Sequence, residues 1–156
     1  DRLPGVFRVV IHTVGRPRES GWETLAAAEY SRRLERGLPT VRARTTFHPS
    51  GDALVRGVTQ LTGPLVVLDM RGEQLNSDGF SSLVLKLLEE EQRVSFVIGG
   101  AEGLPDALAP GSLHLPTHVR HISMSQMTFP HRLVRVLLLE QLFRARELHA
   151  ASGYHR

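Results

Sequence analysis

Two short segments hold most of the residues able to do chemistry. The first, Ile98-Gly99-Gly100-Ala101-Glu102-Gly103, puts three glycines after an apolar run, where a backbone can turn tightly and approach a ligand with no side chain in the way. Its spacing is not that of the G-x-G-x-x-G dinucleotide fingerprint, it comes late in the chain, and no Gly-Lys-Ser/Thr follows. Neither a Rossmann nucleotide site nor a Walker A loop is expected. The second, Ser123-Met124-Ser125-Gln126-Met127-Thr128-Phe129-Pro130-His131, runs hydroxyls and methionines into a helix start marked by Pro130. Main-chain amides and carbonyls in such a loop can hold an adenine while methionine side chains pack on its face. An ordinary capping loop, with Thr128 near the N-cap, is the alternative. At the other extreme of the chain, Gly153-Tyr154-His155-Arg156 combines an aromatic ring for stacking, an imidazole for proton transfer and a guanidinium for phosphate; simple fraying is the alternative there.

Other chemistries lack their residues. There is no cysteine, so no disulfide framework, thiolate zinc site or cysteine nucleophile is available. Eight histidines include no H-E-x-x-H arrangement, and His118 with His121 is an isolated i, i+3 pair, so no metal is expected. No G-x-S-x-G elbow supports covalent hydrolysis. Asp69 reads as a strand-end acid beside Glu73, and Glu89-Glu90-Glu91 as a solvated helix end.

The elements that must position these segments alternate. Val6–Val14, rich in β-branched residues and stopped by Gly15, predicts a buried strand. Ser20–Glu35 predicts a helix with Ser20 as N-cap and Glu23 in its first turn. Strands are expected at Val41–Phe47, at the continuous apolar run Pro64–Asp69, at Val94–Ile98 and at His121–Met124. Helices are expected at Gly51–Leu61, Ser77–Glu91 and Pro130–Ala150, with a helical turn over Leu104–Leu108. The pattern gives an α/β fold with a mostly parallel sheet covered by helices. The last helix has an apolar face wide enough to suggest a second surface to bury, such as a dimer partner.

The chain has 156 residues, of which 41% are hydrophobic and 22% charged, the proportions of one globular domain spanning 1–156. Its longest apolar stretch lies in Val134–Leu139, far short of the roughly 20 residues a membrane span needs. The start, Asp1-Arg2-Leu3-Pro4-Gly5, has neither an initiator Met nor an apolar signal region, so trimming or processing is expected. The formal charge is +3, and Lys86 is the one lysine among 19 basic residues. An arginine-dominated balance tilts toward phosphate and nucleic acid.

Taken in order, VVLD-x-R-G (Val66–Gly72), the following helix, FVIGGAEGL (Phe96–Leu104), SMSQMTFPHRLVRVLLLEQLFRA (Ser123–Ala145) and the terminal GYHR (Gly153–Arg156) resemble the ribosomal RNA large-subunit methyltransferase H family, of the SPOUT class of S-adenosylmethionine enzymes. Val6–Gly15 and Glu29–Leu34 extend the resemblance over nearly the whole chain. It implies an α/β fold with a C-terminal trefoil knot over about 94–150, an exception to the rule that chains do not knot. It also implies a homodimer that methylates N3 of a pseudouridine in large-subunit rRNA within the assembled ribosome. On the matching positions, the S-adenosyl-L-methionine cofactor would be bound by Leu68, Asp69, Gly99, Gly100 and Ser125, Gln126, Met127, Thr128, Phe129 and Pro130. His155 would assist loss of the N3 proton or orient the base, Tyr154 would stack, and Arg132 and Arg156 would hold phosphate. Neither membrane nor metal is implied. The compartment would be the cytoplasm of a bacterial-type cell, or an organelle had a targeting segment been removed. Arg16 and Ala101 depart from the family's usual residues. A non-catalytic RNA-binding or ribosome-assembly protein that keeps the fold is the second reading, to be separated by cofactor binding.

Overall fold

The computed structural model of the chain describes residues 5–116 and 118–151. Five strands, β1 (Phe7–Val14), β2 (Val41–His48), β3 (Leu65–Gln74), β4 (Arg93–Val97) and β5 (Arg120–Ser123), form one sheet in the order β2-β1-β4-β3-β5. Every pairing is parallel. Among the described residues α1 (Trp22–Arg36), α2 (Gly51–Thr59) and α3 (Ser77–Glu91) connect the first four strands, a 3-10 turn at Asp106–Leu108 lies between β4 and β5, and α4 (His131–Ala151) follows β5. The expected alternation of strands and helices is the observed one.

The two-residue period of the strands divides the core between the faces of the sheet. Val9, Ile11, Val66, Leu68 and Phe96 pack with Leu34 of α1, Val84 of α3 and Leu138 of α4. Leu65, Val67 and Val97 point the other way, onto Leu54 and Val58 of α2 and Leu108. Strands buried on both faces carry continuous apolar runs, which is why Pro64–Asp69 could be recognised.

Local chemistry sets the helix ends. The Ser50 hydroxyl accepts from the Ala53 amide at 3.1 Å and the Asn76 side chain accepts from the Gly79 amide at 2.8 Å, starting α2 and α3. The start of α1 differs from expectation: its N-cap is Gly21, at φ 127, and no side chain caps it. Glu23 explains the shift, since its carboxylate is buried and folds back over Gly21, 3.2 Å from where a Cβ would stand. Deep in the packing of α1 on α4, Arg146 is 3% exposed. Its guanidinium donates to the carbonyls of Leu34, Pro39 and Arg33 at 2.8, 3.0 and 2.9 Å and so closes the C-terminal end of α1.

One strand runs further than its apolar residues indicate. β3 continues through the polar stretch Asp69–Gln74, and both Leu68 and Glu73 pair with Ile122, so residues 69–72 bulge against β5. A Cβ on Gly72 would stand 2.5 Å from the His121 carbonyl carbon, which only glycine avoids.

Candidate functional site

In a parallel sheet, ligands bind beyond the carboxyl ends of the strands. Beside the bulge of β3 and beyond the ends of β4 and β5 the chain leaves a cavity of about 590 Å³, a size that suits a nucleoside-sized molecule. Leu68 and Asp69 from β3, Gly99 and Gly100 after β4, and Ser125, Met127, Thr128, Phe129 and Pro130 after β5 all line it. Gln126, expected with them, is exposed and stands outside the lining. Ile98, Met124 and Val134 add apolar wall. Tyr154, His155 and Arg156 lie outside the described residues.

The glycine turn owes its shape to protein neighbours. Gly103 has φ +86, and its amide donates to the Gly100 carbonyl at 2.9 Å. A Cβ on Gly99 would lie 2.7 Å from the Gly103 carbonyl carbon, and one on Gly100 would lie 2.9 Å from Cβ of Val14. The close approach expected for a ligand is thus first an approach of the turn to itself and to β1.

Hydroxyls order the loop after β5. The Ser123 hydroxyl donates to the Ser125 carbonyl at 3.0 Å, and the Ser125 hydroxyl accepts from the Met127 amide at 2.9 Å. Across the cavity, Asp69 accepts from Arg71 three times, from the amide at 2.7 Å and from the guanidinium at 2.9 and 2.7 Å. The side-chain bond from Arg71 holds the Asp69 carboxyl below its ordinary range, against the opposing effect of burial. A fixed anionic acceptor is the result.

His131, the first residue of α4, lines this cavity and a second, smaller one of about 50 Å³. Burial, then the charges of Arg132 and Arg18, lower the His131 pKa and favour its neutral form. The smaller cavity is walled by Arg16, Arg18, Arg132 and Arg135 around Glu23. Arg132, expected to hold phosphate, therefore faces away from the larger cavity. Sequence reasoning missed Glu23 and His131 as wall residues, because one read as a first-turn acid and the other as the polar start of a helix.

A family described as "Predicted SPOUT methyltransferase" matches residues 7–155. The chain belongs to the SPOUT methyltransferase family. Its relatives include the proteins named "Ribosomal RNA large subunit methyltransferase H" of Paracoccus denitrificans (strain Pd 1222), 36% identical over 161 residues that cover 96% of this chain and 99% of the relative. That of Prochlorococcus marinus (strain MIT 9313) is 37% identical over 152 residues, 96% of each chain. That of Anaeromyxobacter sp. (strain K) is 36% identical over 161 residues, 96% of this chain and all of the relative. In this SPOUT chain no group of three or more His, Cys, Asp or Glu suited to a metal ion occurs among the described residues, and none of their helices is long and apolar enough to cross a membrane.

Proposed function

We propose that this chain is an S-adenosyl-L-methionine-dependent methyltransferase that modifies N3 of a pseudouridine in large-subunit ribosomal RNA, acting on the assembled particle in the cytoplasm. The observation that carries the reading is the convergence of three segments, distant in sequence, on one cavity between the bulge of β3 and the carboxyl ends of β4 and β5. The residues there fit the cofactor: apolar walls at Leu68, Ile98 and Phe129 for a purine, main-chain groups of the loop after β5 for its edge, and the Asp69 carboxylate as a fixed acceptor.

When bound, S-adenosylmethionine supplies a methyl group already activated by its sulfonium, so the protein's work is to position two reactants and exclude water. Leu68 and Phe129 keep that cavity apolar. His155 takes up the N3 proton or orients the base, Tyr154 stacks on it, and Arg132 and Arg156 hold phosphate. The C-terminal knot implied by the family resemblance would bring Ser125–Pro130 against the glycine turn. A homodimer completes the reading: Trp22 and Leu25, one turn apart on α1, are 59% and 69% exposed and offer apolar surface for a second copy.

The test compares large ribosomal subunits carrying the pseudouridine with subunits carrying uridine at that position, each incubated with labelled S-adenosylmethionine. Label on the first and little on the second is expected. Equal labelling contradicts the pseudouridine specificity. His155→Ala should slow transfer and leave cofactor affinity unchanged in calorimetry; an unchanged rate removes His155 from the chemistry.

A further inference from the structure

The smaller cavity is built differently from the larger one, and no role in holding the methyl donor accounts for it. Four arginines, Arg16, Arg18, Arg132 and Arg135, line it together with a single carboxylate, that of Glu23. The Arg135 guanidinium lies over the Phe47 ring, 5.3 Å from its centre. Glu23 is 4% exposed, and its Oε1 stands 3.6 Å from Nη1 of Arg18 and 3.6 Å from Nη1 of Arg132. Those separations are those of ion pairs and exceed hydrogen-bond length. Oε1 is buried and accepts no hydrogen bond among the described residues.

Arginines in excess of acid call for an anion, and a buried acceptor without a donor calls for a hydroxyl or amide. A ligand that satisfies both carries a negative group and a donor close together. The size limits it further. About 10–15 Å³ of such space accommodates one water-sized group, so a cavity of about 50 Å³ takes a phosphate and one neighbouring hydroxyl, with the sugar ring at its mouth, and excludes a base. Ribonucleotides place a phosphate and a 2′-hydroxyl on neighbouring atoms of one backbone. The wall shared with the larger cavity is His131, so a strand seated in the arginines would present its next nucleotide toward the larger cavity.

We propose that the arginine cavity is a subsite for one ribose-phosphate unit of an RNA strand, with the phosphate held by Arg16, Arg18, Arg132 and Arg135 and the sugar hydroxyl donated to Glu23. This deepens the reading of the chain as an RNA methyltransferase and rests on it for the identity of the RNA. Arg132 then serves substrate placement from a position outside the methyl-donor cavity, and Glu23 tells a ribose from a deoxyribose.

The experiment titrates the full chain with a short single-stranded RNA and with the DNA of the same sequence, by fluorescence anisotropy over a series of salt concentrations. Wild type should bind the RNA several-fold more tightly. Arg16→Gln, in an exposed loop, and Arg132→Gln, on the exposed side of α4, should each weaken RNA binding about 3- to 10-fold and reduce the slope of log affinity against log salt by about one. Affinity for S-adenosylmethionine should not move. Glu23→Ala should erase the preference for RNA over DNA. Unchanged salt slopes in both arginine variants, or equal binding of RNA and DNA by wild type, would overturn the proposal. Failure of the broader reading looks different: wild type that binds RNA with the full slope and transfers no methyl group contradicts the methyltransferase assignment and leaves the cavity standing.

Discussion

The Thr128 hydroxyl lies 3.8 Å from the sulfur of Met70 and donates to it, joining the loop after β5 to the polar extension of β3. Both residues are exposed and both line the larger cavity, so the contact spans its mouth. Hydrogen bonds to thioether sulfur are weak. Thr128→Val keeps the shape and removes the donor. Affinity for S-adenosylmethionine should fall about two- to fivefold by calorimetry, with Tm unchanged, as expected for a weak contact worth about 0.5–1 kcal/mol. Unaltered affinity would mean that the loop holds its place without the hydroxyl.

Gly99 is confined by backbone on its open side, where a Cβ would meet Gly103 and Leu104 at 2.7 Å. Backbone yields less readily than a side-chain tip. Gly99→Ala should lower stability by about 1–3 kcal/mol, the usual cost of overpacking. It should also widen the turn and weaken cofactor binding about tenfold. A urea midpoint equal to wild type would contradict this account of the turn.

Removing the Arg146 guanidinium strips three main-chain carbonyls at the end of α1 of their donor. Each unsatisfied buried group costs about 1–3 kcal/mol. Arg146→Leu should therefore lower the unfolding free energy by about 3 kcal/mol or more, read as a lower urea midpoint at constant m. Surface arginines such as Arg36 should show almost no effect in the same assay.

Acid should destabilise the fold through His12. Burial, then the nearby His48, lowers its pKa from 6.5 to about 4, and its Nδ1 lies 3.0 Å from Nε2 of His48. The unfolded chain takes up this proton first. Stability is therefore level above pH 6.5, falls as the pH drops from 6.5 toward 4, and levels again below. Burial depresses His48 and His131 as well, in the same direction. His12→Asn should flatten the decline of the urea midpoint across that window; an unchanged slope would assign it to other groups.

Much of the architecture was legible because parallel strands covered on both faces carry apolar runs, as in Leu65–Leu68 and Phe96–Ile98. Nine of the residues expected around the cofactor share one cavity because each belongs to the bulge of β3, where its apolar run ends, or to the turn that follows β4 or β5. Three features were hidden for physical reasons. The β3 extension pairs through main chain along a polar run, so its side chains carry no period. Arg146 sits in a helix where a basic residue reads as solvent-facing, and only the packing of α1 on α4 shows that it is buried. Glu23 displaced Ser20 from the start of α1 by folding over Gly21, a preference that depends on Arg18 and Arg132 arriving from elsewhere.

The central claim is methyl transfer to one base of large-subunit rRNA. Purified protein should be incubated with labelled S-adenosylmethionine and ribosomes from a strain lacking the activity, and the label mapped by nuclease digestion and mass spectrometry. Label on a single pseudouridine, at N3, is the predicted result. Measurable cofactor binding with no label on large-subunit rRNA would contradict it.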